Sequence, residues 1–311
     1  MIGPNIIIPF HNKFNLLQKS LYKLVYISKI SASKIILVND SGNRRINKDK
    51  ALNGIAKGCI YIQNKKNIGC NKSIHKAVKK SKNKYFLPLG NGDLLVPKAF
   101  QEICVQLKKN PNCNLFLWPL IEITDEDNQC GKIINKVNNS SFDRVIYPDE
   151  FRRYFYGKPL IGQGCYNVNK WKELGGFRSD FEWHADHFLC HILGNIGPVF
   201  LFHKPMGLFL RSHDSYGAQS QSCGQETICL QAITWLDRPT NVKLRTYIIE
   251  SGAFCVFEHV LSKVLRGHPS RSIYLDAKMR RWLFLKKIRR VIRHPIPKPF
   301  KELFRHGFHY Q

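Results

Sequence analysis

The stretch Tyr85-Phe86-Leu87-Pro88-Leu89-Gly90-Asn91-Gly92-Asp93 is an apolar run that ends in a polar turn and a single carboxylate. Two earlier apolar runs also end in polar residues: Ile6-Ile7-Ile8-Pro9-Phe10-His11-Asn12, which has no carboxylate, and Ile35-Ile36-Leu37-Val38-Asn39-Asp40-Ser41-Gly42, which carries Asp40. Short apolar runs alternating with helical patterns predict a βαβ series and a parallel sheet. Polar groups at successive strand ends form the ligand crevice of such a sheet. The sequence therefore predicts an α/β fold with a binding crevice.

Helical spacing of apolar residues appears in two places between the predicted strands. The residues concerned are Leu16, Leu17, Leu21, Leu24 and Val25, and then Phe100, Ile103, Cys104 and Leu107. Residues 124–141 are polar and predict a surface hairpin or loop, and residues 212–224 predict a second loop. Helical patterning dominates after residue 225. We therefore expect a main domain over residues 1–225 and a helical, basic extension over residues 226–311.

The net charge is the most unusual feature of the composition. The 311 residues include 49 Lys and Arg against 22 Asp and Glu, a net charge of +27. This excess favours nucleic acid, anionic lipid or a phosphorylated substrate as partner. No RNP-like aromatic motif or zinc-finger spacing supports nucleic acid, and neither GxGxxG nor a P-loop supports a dehydrogenase or an NTPase. Ten cysteines without a CxxC pair predict reduced, mostly buried thiols.

The order and spacing of these segments resembles the inverting GT-A glycosyltransferases of family 2, over about residues 4 to 217. The resemblance implies a GT-A fold with a central, mostly parallel sheet, a nucleotide-diphosphate sugar donor and a glycan acceptor that is lipid-linked or lipopolysaccharide-type. It also implies a role in nucleotide-sugar binding for one group of residues: Pro9, Phe10, Asn12, Asp40, Asn67, Gly69, Asn91 and Arg211.

Two of these donor-side segments carry a specific chemistry. Asp40 matches the family acid that contacts the base, while Asn39 replaces the first acid of the usual pair; the alternative is that Asp40 caps the following turn. Asn67-Ile68-Gly69 opens a helix whose N–H groups suit a phosphate. Ile74 and His75 stand where the family often has Arg-Asn.

The cation site departs furthest from the family. The resemblance implies Mn²⁺ or Mg²⁺ bound by Asp93 and by His213 of the Arg211-Ser212-His213 segment. Gly90 and Gly92 stand where the family usually has acids, so the metal site is degenerate. A metal-independent enzyme, or a homologue that binds a nucleotide or glycan without catalysis, is the open alternative.

The acceptor side resembles the family's strand-loop-helix that ends in Gly175-Gly176-Phe177 and continues to Asp186. Inverting transfer needs a general base for the acceptor hydroxyl, and Asp186 is the candidate. The alternative is an acid that only complements the helix dipole. The spacing of His184, His187 and His191 could present a zinc site, but we expect them to be partly exposed or to contact the acceptor.

Residues 275–293 combine an apolar stripe with many Lys and Arg. Such a helix predicts association with an anionic membrane surface; the alternative is a helix packed on the main domain. No apolar run reaches membrane-spanning length and no signal pattern is present, so we expect a cytoplasmic protein, peripheral on the inner face of the membrane. A cut before about Ser270 is then expected to leave the crevice folded.

Overall fold

The computed structural model describes residues 3–42, 54, 56–124, 130–135, 142–211 and 224–293. The strands are β1 Asn5–Phe10, β2 Ile35–Asn39, β3 Ile60–Gln63, β4 Tyr85–Pro88, β5 Leu94–Leu95, β6 Leu115–Leu117, β7 Leu120–Thr124, β8 Cys130–Ile134, β9 Arg144–Ile146, β10 Cys165–Asn167, β11 Val199–Leu201 and β12 Gly207–Arg211. The helices are α1 Phe14–Tyr22, α2 Cys70–Lys80, α3 Ala99–Lys109, α4 Pro148–Phe155, α5 Val168–Glu173, α6 Ala185–Ile196, α7 Gln225–Leu236, α8 Val242–Glu250, α9 Leu261–Val264, α10 Arg271–Tyr274 and α11 Ala277–Arg293.

The shorter helical turns complete the path of the chain. A π-helical turn, Lys23–Ile27, continues α1, and 3₁₀ turns occur at Ala32–Lys34, Ser179–His184, Pro239–Asn241 and Ala253–Phe257. The turn at Ser179–His184 leads directly into α6.

The main sheet has eight strands in the order β3-β2-β1-β4-β10-β6-β11-β9. The pairs β3-β2, β2-β1, β1-β4 and β6-β11 are parallel, whereas β10 and β9 pair antiparallel with their neighbours. The predicted parallel series of the first 90 residues is therefore confirmed. The carboxyl ends of β1, β2 and β4 meet at one edge, which is where the crevice lies.

A second sheet of four strands, β5-β12-β7-β8, closes the crevice region from another side. β7 and β8 pair antiparallel, so the described part of the predicted hairpin forms as expected. β12 lies between β5 and β7, antiparallel to β5 and parallel to β7. This sheet brings β12 and its last residue, Arg211, next to the turn that follows β4.

Two apolar clusters hold these layers. One is built from the main sheet, α1 and α3, and includes Leu87 of β4, Ile103 of α3 and Phe116 of β6. All four predicted apolar residues of α3 are buried, which confirms its predicted inward face. The other cluster joins α2 and α6 to the helices that follow residue 224, through residues such as Phe188 and Phe254. The C-terminal helices and the sheet thus share one core.

The basic helix α11 packs against this shared core through its first half. Met279 is buried, and Trp282 and Leu283 are partly buried against the cluster. Trp282 lies so close to Gly157 that a Cβ there would sit 2.4 Å from the indole nitrogen. Part of the predicted membrane-facing stripe is therefore used in packing on the protein. In the described part of the chain, no helix has the length and apolar character needed to cross a membrane.

Candidate active site

Asp40 follows β2 and its carboxylate is held by three donors. Oδ1 accepts hydrogen bonds from the Asn64 amide (2.8 Å) and the Ile68 N–H (2.9 Å). Oδ2 accepts one from the Gly69 N–H (2.9 Å). Because these donors belong to the segment between β3 and α2, Asp40 fixes the approach to α2. A carboxylate oxygen accepts about two hydrogen bonds, so Oδ2 retains acceptor capacity for a ligand donor.

The turn that follows Asp40 is capped by the side chain of Asn39 and not by that of Asp40. The Ser41 N–H donates to Asn39 Oδ1 (2.9 Å). The Asn39 amide nitrogen donates in turn to Tyr61 Oη and Gln63 Oε1, both at 2.9 Å. A carboxylate at position 39 could accept but could not donate, so the amide explains why Asn replaces the family's first acid here.

The segment Asn67-Ile68-Gly69 is placed at the start of α2, as predicted, but its N–H groups are already engaged. Ile68 and Gly69 both donate to Asp40. The expectation that these two N–H groups are free for a phosphate is therefore wrong. Asn67 is exposed, and its side-chain oxygen accepts from the Gly69 N–H (3.0 Å). Gly69 has φ +86°, a conformation that favours glycine.

Other predicted donor-side residues lie around the same strand ends. β1 extends through Phe10, so Pro9 and Phe10 are buried strand residues. The Asn91 amide donates to the Asn12 carbonyl (3.0 Å), which ties the turns after β4 and β1 together. Arg211 is exposed and pairs with the Glu122 carboxylate (3.3 Å), and that pairing occupies part of its guanidinium. His213 lies outside the described residues.

Asp93 joins the turn after β4 to the second sheet. Its Oδ2 accepts from the Gly90 N–H (3.0 Å) and its Oδ1 accepts from the Leu210 N–H (3.0 Å). The side chain is buried. Burial raises the pKa of Asp93 to about 6, although the N–H groups of Leu210 and Gly90 favour the ionised form and lower it. Asp93 therefore fastens β12, the strand that carries Arg211.

The glycines near Asp93 have steric reasons to be glycine. A Cβ at Gly90 would lie 2.8 Å from Asp93 Oδ2, and a Cβ at Gly92 would lie 2.5 Å from Leu210 Cδ2. Gly92 also has φ +106°. An acidic side chain at either position would require the Asp93 or Leu210 side chain to shift. Among the described residues no group of three His, Cys, Asp or Glu could hold a metal ion, and Asp93 by itself does not fit a Mn²⁺ or Mg²⁺ site.

Asp186 lies in the first turn of α6. Its Oδ2 accepts from the Gly162 N–H (2.7 Å) and its Oδ1 from the His187 N–H (2.7 Å). Burial raises the pKa of Asp186 to about 6, and the bonds from Gly162 and His187 oppose that rise. A Cβ at Gly162 would lie 2.3 Å from Asp186 Cβ, so glycine makes room for the carboxylate. A carboxyl with this pKa is mostly ionised at neutral pH and can take up a proton.

The histidines of α6 have structural partners. His187 is buried; its Nδ1 accepts from the Leu160 N–H (3.1 Å) and its Nε2 donates to the Ala253 carbonyl (2.8 Å). His191 is fully buried, with Nε2 3.3 Å from the Lys158 carbonyl. Burial lowers the pKa of both rings. The expectation that these residues are partly exposed or contact an acceptor is wrong for His187 and His191, because α6 faces the core with them.

Cys70, which the sequence did not single out, is the exposed first residue of α2. Loss of hydration around the sulfur, followed by the charges of Asp186, Asp40 and Asp93, raises the pKa of its thiol to about 12. The charges of carboxylates from three separate elements therefore act on this thiol. The feature of the sequence that could have identified Cys70 is its position directly after Asn67-Ile68-Gly69.

Comparison with known proteins assigns the family. The model of glycosyl transferase family 2 matches residues 5–166, more than half of the 311-residue chain. The chain belongs to glycosyl transferase family 2, and it is a glycosyltransferase. No match was found among the curated proteins.

Solved structures with a similar fold include S. aureus TarS. TarS 1–349 in complex with UDP has a TM-score of 0.62 at 11% identity, covering 100% of this chain and 93% of that one. TarS 1–349 in complex with UDP-GlcNAc has a TM-score of 0.61 at 10% identity, covering 89% and 79%. At these identities the likeness shows the fold, which is GT-A.

Proposed function

We propose that this glycosyltransferase moves a sugar, with inversion, from a nucleotide-diphosphate sugar to a hydroxyl group of a glycan acceptor. The observation that carries the proposal is the link that the first turn of α2 makes between Asp40 and the turn that leads into α6 and Asp186. The Gly69 N–H donates to Asp40 Oδ2, and the Asn71 amide donates to the Glu182 carbonyl (2.8 Å). Asp93 follows β4, which pairs with β1 at the same edge of the sheet. Each carboxylate comes from a different element, and each is fixed by backbone N–H groups. Fixed groups of this kind are what a transfer between two bound substrates requires.

Asp186 is the proposed general base. It takes the proton from the acceptor hydroxyl as that oxygen bonds to the anomeric carbon, and the bond from this carbon to the diphosphate breaks. The pKa of about 6 leaves the carboxylate ionised at neutral pH yet basic enough to accept a proton. Its two N–H donors also fix its direction, since each oxygen is engaged from one side.

The donor is proposed to lie along the ends of β1, β2 and β4. Asp40 would accept a hydrogen bond from the nucleotide, supported by the Asn67 and Gly69 turn. Phe10, Asn12 and Asn91 line the same edge, where the Phe10 ring lies 6.5 Å from Tyr61. The similar TarS structures hold UDP and UDP-GlcNAc, so a uridine nucleotide is the first donor to test.

The leaving diphosphate is assigned to Arg211, which offers a charge-assisted fork. Arg211 would have to exchange its Glu122 partner for the phosphate. No step of this proposal passes through a metal ion, because the described residues provide Asp93 alone. A Mn²⁺ or Mg²⁺ requirement stays a prediction that depends on His213 and on oxygens from the diphosphate.

The test is binding followed by transfer. We expect one nucleoside diphosphate among UDP, GDP, CDP and dTDP to raise the melting temperature of the wild type, with and without Mn²⁺. Asp40→Asn should lose this stabilisation, whereas Asp149→Asn, an exposed acid paired with Arg152, should keep it. Transfer assays then use the sugar nucleotides of the base that binds. Absence of stabilisation by every diphosphate, together with absence of transfer, would refute the donor class.

A lipid-linked or lipopolysaccharide-type acceptor at an anionic membrane surface is the proposed setting. Support comes from the outer side of α11, where Phe284 is 63% exposed and Lys278, Arg280, Arg281 and Lys287 are exposed. Each charge near a membrane surface contributes about 1 kcal/mol. We expect flotation with anionic liposomes at low salt, reduced in a Phe284→Ser, Arg280→Ser, Arg281→Ser variant. Val105→Ser, an equally surface-lying apolar change on α3, is the control; failure of the wild type to float would exclude this setting.

A further inference from the structure

Gln163 is a buried amide where the two sheets meet. It is 4% exposed and stands just before β10. Its Oε1 lies 3.5 Å from Trp118 Nε1, and its Nε2 lies 3.4 Å from the Leu208 carbonyl of β12. A buried amide costs free energy unless such partners are present. A side chain needed only to fill space here could be apolar.

The neighbouring strand is shaped to admit this amide. A Cβ at Gly207, the first residue of β12, would lie 1.7 Å from Gln163 Oε1. No side chain at position 207 can coexist with Gln163 in this position. The second sheet therefore approaches the main sheet at a glycine, and the amide occupies the space that this glycine leaves.

Two successive residues connect the helix that carries Asp186 to β12. The N–H of Gly162, the residue before Gln163, donates to Asp186 Oδ2 at 2.7 Å. Gln163 Nε2 donates to the Leu208 carbonyl of β12, and the Leu210 N–H of the same strand donates to Asp93 Oδ1 at 3.0 Å. Gly162 thus holds the acceptor-side carboxylate directly, and Gln163 holds the strand that holds the donor-side carboxylate.

We propose that Gln163 is a positioning residue that fixes β12, and through β12 Asp93, relative to Asp186, and so sets the spacing between the donor side and the acceptor side. The inference rests on the proposed function for its effect on transfer, but not for its effect on structure. Loss of the amide would leave the Leu208 carbonyl and the Trp118 N–H each without one partner. β12, and Arg211 at its end, would then no longer be held in register with the base.

The test compares three variants of the full chain. Gln163→Met keeps the length of the side chain and removes its hydrogen bonds, and Gln163→Glu keeps the shape but replaces the donor by an acid beside Asp93. Asn195→Met is the matched control, because Asn195 is equally buried and its amide bonds the His191 carbonyl (2.7 Å) away from the crevice.

For both Gln163 variants we expect kcat to fall about 10- to 100-fold, with the donor KM changed less than about threefold. Asn195→Met should lose stability without this fall in kcat. A Gln163→Met enzyme with unchanged kcat, despite a lower melting temperature, would show that Gln163 only packs.

Hydrogen exchange separates this inference from the proposed function. We expect faster exchange of the Leu210 and Gly162 N–H groups in both Gln163 variants and unchanged exchange in Asn195→Met. If the wild type transfers no sugar but this pattern appears, the proposed function fails and the positioning role stands. Unchanged exchange at Leu210 in both Gln163 variants overturns the positioning role whatever the activity.

Discussion

Asp93 on the donor side and Asp186 on the acceptor side are matched in their chemistry. Each accepts two backbone N–H groups, and burial raises the pKa of each carboxyl to about 6. They differ in the hydrophobic cluster that lies next to each of them. The cluster around Leu89 and Leu95, near Asp93, is built from residues that precede β12. The cluster around Ala185, next to Asp186, extends through the C-terminal helices.

This difference shows that the two sides depend on different parts of the chain. The donor-side edge is assembled from β1, β2 and β4 and is joined by β12, all of which precede the C-terminal helices. The acceptor-side helix α6 lies between the main sheet and helices that follow residue 224, and its His187 donates to the Ala253 carbonyl (2.8 Å). We therefore expect changes in the C-terminal helices to reach Asp186 before they reach Asp93.

The largest effect is expected from removing residues 270–311. The cut deletes Tyr274, Leu275 and Met279, which are 1%, 6% and 2% exposed. Loss of each such side chain costs about 2–5 kcal/mol, so the sum approaches the whole stability of a typical domain, about 5–15 kcal/mol. This reverses the expectation from the sequence that such a cut leaves the crevice folded.

Hydrogen exchange and thermal unfolding measure this outcome. Peptides from α6 should lose protection before peptides from β2, because Phe188 of α6 packs on Phe254, which in turn packs on the deleted Tyr274. A chain ending at residue 293 keeps the described helices and serves as the control. A chain ending at residue 269 that melts within about 2 °C of the full protein would contradict the prediction.

The next effect is on the rate of transfer. Asp186→Asn keeps the shape of the side chain but cannot accept a proton, and loss of a general base lowers kcat by about 10²- to 10⁴-fold. Nucleotide-sugar affinity should change only a few-fold, because the donor edge is unaltered. Asp149→Asn is the control for loss of an acid outside the crevice. Near-normal turnover of Asp186→Asn would remove Asp186 from the mechanism.

The contrast between the two sides also explains what the sequence could predict. The parallel strands and the polar residues at their ends follow from local apolar periodicity, and the structure places Asp40, Asn67 and Asp93 at those ends. The roles of Gln163 and Cys70 could not be predicted in this way. The Leu208 and Trp118 partners of Gln163 come from distant segments, and no local pattern encodes which strand a buried amide meets.

The basic helix α11 shows a similar physical limit. An apolar stripe at helical spacing indicates a buried face, but it does not specify whether lipid or protein covers that face. In α11, Met279 and Trp282 pack on the protein, while Phe284 is exposed. The histidines of α6 show the same limit, because helical spacing predicted their common face but not its burial.

Adding a side chain at Gly92, where the family usually has an acid, should destabilise the donor side. Gly92→Ala places a Cβ at φ +106° and 2.5 Å from Leu210 Cδ2. Gly175→Ala is a matched control, with φ +79° and no neighbouring atom within 4 Å. We expect about 1 kcal/mol of lost stability in the control and about 1–3 kcal/mol more in Gly92→Ala from the clash. Equal losses, measured by denaturant unfolding, would mean that Leu210 gives way freely.

The pH dependence of transfer should report the buried carboxyls. The pKa of Asp186 is raised from 3.8 to about 6, so kcat/KM should fall as the pH drops through about 6. A raised carboxyl pKa also means that ionisation opposes folding. The cost is absent below pH 3.8 and fully present above about 6, so mild acidification should relieve it. An acidic limb that stays near pH 6 in Asp93→Asn assigns the limb to Asp186; its disappearance assigns it to Asp93.

The smallest effect is expected on the alkylation rate of Cys70, whose thiol is influenced by carboxylates of both the donor side and the acceptor side. Its thiol reaches solvent, yet crowding and the charges of Asp186, Asp40 and Asp93 raise its pKa to about 12. Because the thiolate is the reactive form, the raised pKa predicts slower alkylation near pH 8 than for an ordinary exposed cysteine. Asp186→Asn removes one of these charges and should speed alkylation a few-fold, whereas Asp149→Asn should not. Mass spectrometry of the tryptic peptide 67–72 measures both rates, and equal rates in the two variants would show that the Asp186 charge does not act on Cys70.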